Sequence, residues 1–267
     1  MDATPRDATP QDATPRVAPP AAVGDGIVAD GLVKRYRGRA VVDGVSLRVA
    51  AGETLGILGV NGAGKTTTVE MIAGLRSPDA GSVSVLGLDV RRDRARVRQV
   101  LGVQLQESEL HSALRVDELL ALYRSFYRAP RSAEELLDLV GLREQRRTRF
   151  ERLSGGQQQR LSIALALVGD PRAVILDELT TGLDPRARRS MWGAIERLQQ
   201  EGVTILLVSH AMEEVARLCH RVAIIDAGRV LALGTPAALV EQAGADDLEG
   251  AFLALTGRSV DDMEEAA

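Results

Sequence analysis

Gly59-Val60-Asn61-Gly62-Ala63-Gly64-Lys65-Thr66 places three glycines, a lysine and a threonine hydroxyl at fixed spacing. The segment follows the short apolar run Thr54–Leu58 and opens a stretch of helical spacing, Lys65–Leu75. Glycines in such a loop let backbone N–H groups turn inward around phosphate oxygens, and the helix N-terminus adds its positive end. Lys65 would reach the outer phosphates of a nucleotide, and the Thr66 hydroxyl would hold Mg²⁺. Gly59, Asn61, Gly62, Ala63, Gly64 and Thr67 complete the candidate binding set. Only Lys34 and Lys65 are lysines, the other 31 basic residues being arginine. A lysine kept at this position suits a site needing a compact ammonium rather than a planar guanidinium. The pattern predicts a nucleoside triphosphate site.

A second chemical signal is Ala173-Val174-Ile175-Leu176 followed by Asp177-Glu178, an apolar strand ending in two acids. A buried strand that delivers carboxylates at its C-terminal edge can place a Mg²⁺ ligand beside a phosphate loop. Asp177 is assigned to the metal, through water, and Glu178 to polarising the attacking water. Taken alone, such a pair would as readily cap the next helix; the phosphate loop elsewhere in the chain favours the metal. His111 and His220 have no chemical context of this kind.

These groups need a scaffold, and the hydropathy pattern supplies one. Strands are predicted at Val41-Val42 and Val45–Val49, separated by an Asp43-Gly44 turn, and at Thr54–Leu58, Val83–Leu86, Ala173–Leu176, Val203–Val208, Val222–Ile225 and Val230–Leu233. Helical spacing covers Lys65–Leu75, Arg91–Val97, Val116–Tyr127, Ala133–Val140, Leu161–Val168, Arg186–Gln200, Met212–Leu218 and Leu248–Leu255. In Val116–Tyr127 the residues Leu119, Leu120, Tyr123 and Phe126 share one face. Ser132 and Glu135 form a capping box with Gly141 as the stop, and Thr235-Pro236 reads as an N-cap followed by proline. The alternation predicts an α/β fold with a mainly parallel sheet, an antiparallel patch among the early strands and a helical insert.

Residues 2–16 repeat a five-residue unit, DATPR-DATPQ-DATPR, too short for a solenoid and without apolar residues to bury. Residues 1–24 are expected to be a disordered tail, 25–243 the main domain with a helical subdomain over about 107–165, and 244–267 a terminal helix with an acidic tail. The chain has 267 residues, 33 basic against 37 acidic, and 45% hydrophobic residues, enough for one large domain or two small ones. One cysteine, Cys219, excludes an internal disulfide framework and a multi-cysteine zinc site and suits a reducing cytosol. No uncharged apolar run approaches the roughly 18 residues that span a bilayer. The N-terminus lacks the basic start and apolar stretch of a secretory signal. Net charge −4 argues against bulk nucleic-acid binding, and the arginine runs Arg91–Arg98 and Arg143–Arg152 are interrupted by acids, as solvated helix faces are.

Leu153-Ser154-Gly155-Gly156-Gln157, lying 23 residues from Ser154 to Asp177, resembles the signature motif of the ATP-binding cassette (ABC) ATPases. The resemblance extends over residues 27–240, with several motifs in the family's order, and implies a P-loop NTPase core whose helical insert carries the signature. Tyr36 sits where the family stacks an aromatic on adenine. Gln106, with Gln104 as competitor, resembles the glutamine that links the Mg²⁺ and water site to the helical insert and a transmembrane partner. Gly182-Leu183-Asp184 resembles the D-loop, and His210, after Leu206-Leu207-Val208-Ser209, the switch histidine. Ser154, Gly155 and Gly156 precede a helix beginning near Gln157, so a helix N-terminus is offered to an anion. In the family that anion is the γ-phosphate on the opposite subunit. The resemblance therefore implies ATP and Mg²⁺ as ligands, a second copy or related cassette completing the site, and a separate transmembrane permease. The protein would be cytoplasmic and peripheral on the inner face of the membrane. Leu179 stands where the family has proline. Thr180–Pro185, Ala211–Glu214, Gly234–Pro236 and Phe252–Arg258 are similar to ABC-2, drug-resistance exporters, which implies efflux of an amphipathic compound. The alternative is a soluble ABC ATPase acting on ribosomes or DNA.

Overall fold

The computed structural model describes residues 24–105 and 110–258. The N-terminal repeats, Gln106 and the acidic C-terminal residues lie outside the described residues. The first half of the chain forms β1 (Asp25–Tyr36), β2 (Arg39–Ala50), β3 (Thr54–Leu58), α1 (Lys65–Ile72), β4 (Ala80–Val85), β5 (Leu88–Asp89), α2 (Arg94–Val100) and β6 (Leu101–Gln104). Three helices follow, α3 (Val116–Arg124), α4 (Ala133–Val140) and α5 (Gly155–Ala166). The remainder is β7 (Ala173–Asp177), α6 (Pro185–Gln200), β8 (Thr204–Val208), α7 (Met212–Leu218), β9 (Arg221–Asp226), β10 (Arg229–Gly234), α8 (Pro236–Ala243) and α9 (Leu248–Thr256).

Two sheets divide the strands. The larger has the order β10-β9-β3-β8-β7-β6, parallel throughout except for the β9–β10 hairpin. The smaller is the expected antiparallel patch, β2-β1-β4-β5. β3, β7 and β8 are buried at every position, as strands covered on both faces must be. Their order brings the C-terminal ends of β3, β8 and β7 side by side on one sheet edge. Adjacent strands lie roughly 4.8 Å apart, so the loops leaving these three ends can act on one ligand.

Local differences from the sequence pattern have identifiable causes. Asp43-Gly44 does not turn the chain: β2 runs straight through it, with Gly44 at φ 78° and a register shift against β1 between Leu32 and Val33. It is a bulge, and the Asp43 N–H leaves the ladder to bond the Gly228 carbonyl at 2.8 Å. β6 has only four residues and follows α2 without a break, which leaves too little alternation to recognise. α2 starts at Arg94 rather than Arg91 because the N–H groups of Arg91 and Arg92 are held in a turn by the Asp89 carboxylate. α3 ends at Arg124, so Phe126 falls beyond the helix; Leu119 and Leu120 are fully buried, Tyr123 partly, and Phe126 is 62% exposed. The caps at Ser132, Gly141 and Thr235 form as expected. Among the described residues no helix is long and apolar enough to cross a membrane.

Candidate nucleotide-binding site

The phosphate loop sits between β3 and α1, and two of its glycines have reasons in the backbone. A Cβ on Gly59 would lie 2.3 Å from the Ile225 carbonyl oxygen. Gly64, the residue preceding α1, has φ 97°, and a Cβ there would meet the Val41 oxygen at 2.6 Å. Ala63 is buried, Asn61 and Thr67 are half-buried, and Thr66 is exposed on the first turn of α1. Lys65 Nζ folds back on its own loop, donating to the carbonyls of Gly59 (2.6 Å) and Val60 (3.0 Å). Burial pushes the Lys65 ammonium below its ordinary range, while Asp177 and Glu178 pull it back up.

Asp177, the last residue of β7, is 4% exposed. Its backbone N–H donates to Gln104 Oε1 at 3.1 Å. Burial first, and then the charge of Glu178, push its carboxyl up to about 6, with Lys65 opposing. An acid whose folded pKa lies above its unfolded value destabilises the fold once ionised, so stability falls as pH rises through the interval between 3.8 and about 6. Asp177→Asn is therefore expected to stabilise the nucleotide-free protein by about 1–3 kcal/mol at neutral pH. Urea denaturation reads this directly, and equal midpoints for variant and wild type would contradict it.

A desolvated carboxylate is also what a hard dication would relieve. Among the described residues no three His, Cys, Asp or Glu side chains cluster as a metal cage. Asp177 and the Thr66 hydroxyl are oxygen donors of the kind accepted by Mg²⁺, an ion that keeps several waters and takes further oxygens from phosphate.

Glu178 follows in the left-handed region, φ 52°, a conformation rarely held by a residue other than glycine, asparagine or aspartate. Its N–H bonds the Val208 carbonyl at 2.9 Å, so β8 holds one side of the turn. His210, just past β8, brings Nδ1 to 3.7 Å from Glu178 Oε1. The hydrogen bond from His210 is the largest of the effects that hold Glu178 below the ordinary glutamate range; burial opposes it, and Thr181 and Lys65 assist. At neutral pH Glu178 is ionised and able to accept a proton.

The signature residues form a second surface. Ser154 caps α5, its Oγ accepting from Gln157 N at 3.3 Å, while Gln157 Oε1 accepts from Ser154 N at 2.9 Å. The helix thus opens at Gly155, two residues earlier than the sequence suggested. Asp184 caps α6 through the N–H groups of Arg186 and Ala187. Ser154, Gly155, Gly156, Glu178 and Asp184 line one cleft of about 490 Å³, whereas Lys65 lines no part of it. Tyr36, at the end of β1, lies outside the core: it is 39% exposed, with the Arg76 guanidinium 5.6 Å and the Lys34 ammonium 5.9 Å from its ring centre.

Lys65, Asp177, Glu178 and His210 are thus brought together, and Ser154–Gly156 meet Glu178 and Asp184 across a cleft. Gln106 is outside the described residues; Gln104, its competitor, is the glutamine tied to Asp177. Gln159 is a residue that sequence reasoning missed: its Nε2 donates to the Glu178 carbonyl at 2.8 Å. The only sequence signal for it was its place two residues beyond the signature.

A glycine loop between a central parallel strand and its helix, with strand-end carboxylates beside it, defines a P-loop nucleoside triphosphatase fold. The family model for ABC transporters matches residues 42–181. The Nod factor export ATP-binding protein I of Burkholderia pseudomallei is 43% identical over 222 residues, covering 81% of this chain and 73% of that protein. The protein of the same name from Rhizobium johnstonii is 42% identical over 214 residues, covering 78% and 69%. A solved ATP-binding subunit of an ABC transporter superposes with TM-score 0.80 at 28% identity, covering 86% of this chain and 99% of that one. A bacterial ABC transporter cassette solved as a dimer gives 0.71 at 26% identity, covering 78% and 98%. The chain belongs to the ABC transporter family, as an ATP-binding and ATP-hydrolysing subunit.

Proposed function

We propose that this protein hydrolyses ATP in a pair of cassettes to drive export through a separate membrane-spanning permease. The observation that carries the reading is the convergence of Lys65, Asp177, Glu178 and His210 at one sheet edge, with the signature turn on a cleft beside Glu178. The phosphate loop, with Lys65, Thr66 and Thr67, holds the triphosphate, and Tyr36 stacks on adenine. Thr66 and Asp177, with Gln106, hold Mg²⁺, which when bound neutralises phosphate charge. Glu178 accepts a proton from the attacking water, and His210 orients that carboxylate. Ser154–Gln157 and Asp184 act on the nucleotide of the other copy.

Export as the direction is supported by the relatives, which are named for it, and by the exporter-like segments Thr180–Pro185 and Phe252–Arg258. The drug-efflux type rests on those segments. A cytoplasmic position on the inner membrane face follows from the permease.

The docking surface is a groove of about 710 Å³ between α2 and α3, floored by Val97 and Leu101 and flanked by Leu75 and Phe126, which are 65% and 62% exposed. Arg94 and Arg98 edge it. An amphipathic helix of the permease, with an apolar face and acidic flanks, fits this chemistry.

The test is affinity purification of tagged Glu178→Gln protein from detergent-solubilised membranes with ATP and Mg²⁺. A polytopic membrane protein in stoichiometric yield is expected, and Phe126→Asp in the same background should lose it while still binding ATP. Recovery of ribosomal proteins or nucleic acid with no membrane partner would replace the transport reading by the soluble one.

A further inference from the structure

Four consecutive side chains after the signature turn are tethered in four different directions. Gln157 bonds back to Ser154, closing the cap. Gln158 Nε2 donates to the carbonyls of Phe150 (3.2 Å) and Leu153 (3.3 Å), fixing the incoming loop. Arg160 Nη1 donates to the carbonyls of Val140 (3.0 Å) and Gly141 (3.1 Å) at the end of α4. Of the four, it is Gln159 that crosses to the catalytic strand, where its Nε2 meets the Glu178 carbonyl at 2.8 Å.

A second contact joins the same two elements. A Cβ on Gly156 would lie 2.8 Å from Leu183 Cδ2 and 3.4 Å from the Gly182 carbonyl oxygen, so the first turn of α5 rests directly on the loop that follows Glu178. The signature turn, Glu178 and the 180–184 loop are therefore in direct contact.

We propose that Gln159 is a positioning residue through which a phosphate engaging Ser154–Gly156 sets the Glu178 of that same chain, coupling the two nucleotide sites of a pair. The inference rests on the proposed roles of Glu178 and of the signature. Its physical basis is the φ of 52° at Glu178. A non-glycine residue in that region persists only while its surroundings over-determine it. Here the N–H is held by Val208, and the carbonyl by Gln159 at 2.8 Å and, at the longer distance of 3.4 Å, by the Thr181 N–H. Removing the Gln159 bond leaves the carbonyl on the longer Thr181 contact within its own turn, which lets the peptide rotate, and the Cα–Cβ direction, and with it the carboxylate, rotates too.

The experiment compares Gln159→Leu, which removes the donor at similar length, with Gln159→Lys, which keeps an N–H donor at similar reach. Gln159→Leu in the full-length protein should lower kcat by about ten- to a hundredfold, the scale of a 1 Å misplacement. ATP Kd, read by displacement of a fluorescent nucleotide, should be unchanged. The Hill coefficient for ATP should fall from above one to one, and Gln159→Lys should recover most of both losses. A Gln159→Leu protein with wild-type kcat and Hill coefficient would overturn the proposal. So would a Gln159→Lys protein as slow as the leucine variant, since the side chain would then serve packing alone. Glu178→Gln, assayed in parallel, separates the two ideas. If it turns over at the wild-type rate, the role of Glu178 falls; if it is slow while Gln159→Leu is normal, the coupling alone falls.

Discussion

Glu178→Gln is expected to bind ATP as tightly as wild type and to hydrolyse it at least about a hundredfold more slowly. Glutamine keeps the shape of the side chain and its reach toward His210, so the turn at φ 52° and the bond from Gln159 persist. What it loses is the basic lone pair. The wild-type carboxylate is suited to that task because its partners, His210 first, hold it ionised well into mild acid. A general base that stays unprotonated at neutral pH contributes roughly a hundred- to ten-thousandfold. ATP binding, by contrast, is supported by the loop amides and Lys65, which the substitution does not touch. Each nucleotide in the proposed pair is held by both copies and turnover removes it, so the variant should also accumulate as an ATP-bound dimer on gel filtration. Phosphate release at the wild-type rate would remove Glu178 from the role of base.

Much of this site is legible in the sequence because its parts are local. A strand, a glycine loop and a helix are contiguous from Thr54 to Ile72, so the motif shows in the sequence even though the carbonyls that require Gly59 and Gly64, those of Ile225 and Val41, lie outside it. The same holds for β7 with Asp177, and for the Ser132 and Thr235 caps, whose partners lie three residues away. Contacts made by tertiary packing are not legible in this way. Gln104 meets Asp177 across 73 residues and Gln159 meets Glu178 across 19. A glutamine carries no periodic signal that would reveal its partner, so only packing singles out either one. Backbone conformation was hidden as well. Nothing in Leu176-Asp177-Glu178-Leu179 announces a left-handed glutamate, and Asp43-Gly44 has the composition of a hairpin turn although β2 continues through it. In both places hydrogen bonds from another element decide: Val208 and Gln159 for Glu178, and Gly228 for Asp43.

Lys65→Ala should weaken ATP binding by about 2–4 kcal/mol, roughly thirty- to a thousandfold in Kd. The nucleotide-free geometry explains why so much depends on one ammonium. Its Nζ is already desolvated and held by the Gly59 and Val60 carbonyls, so hydration has been given up before any phosphate arrives. Exchanging neutral carbonyl acceptors for anionic phosphate oxygens turns ion–dipole hydrogen bonds into hydrogen-bonded ion pairs in a partly buried setting, where charge–charge attraction is screened less than in water. Alanine removes that gain and a positive charge from beside two acids. Without Lys65 the carboxyl of Asp177 loses the one influence lowering its pKa, which places more negative potential or a bound proton where a triphosphate and its counter-ion must sit. Lys65→Arg should not restore affinity, because the planar guanidinium cannot occupy the position between the two carbonyls that the compact ammonium fills. Calorimetry with a non-hydrolysable ATP analogue measures both variants. Affinity within about threefold of wild type in Lys65→Ala, a difference below 1 kcal/mol, would show that the loop amides alone hold the phosphates.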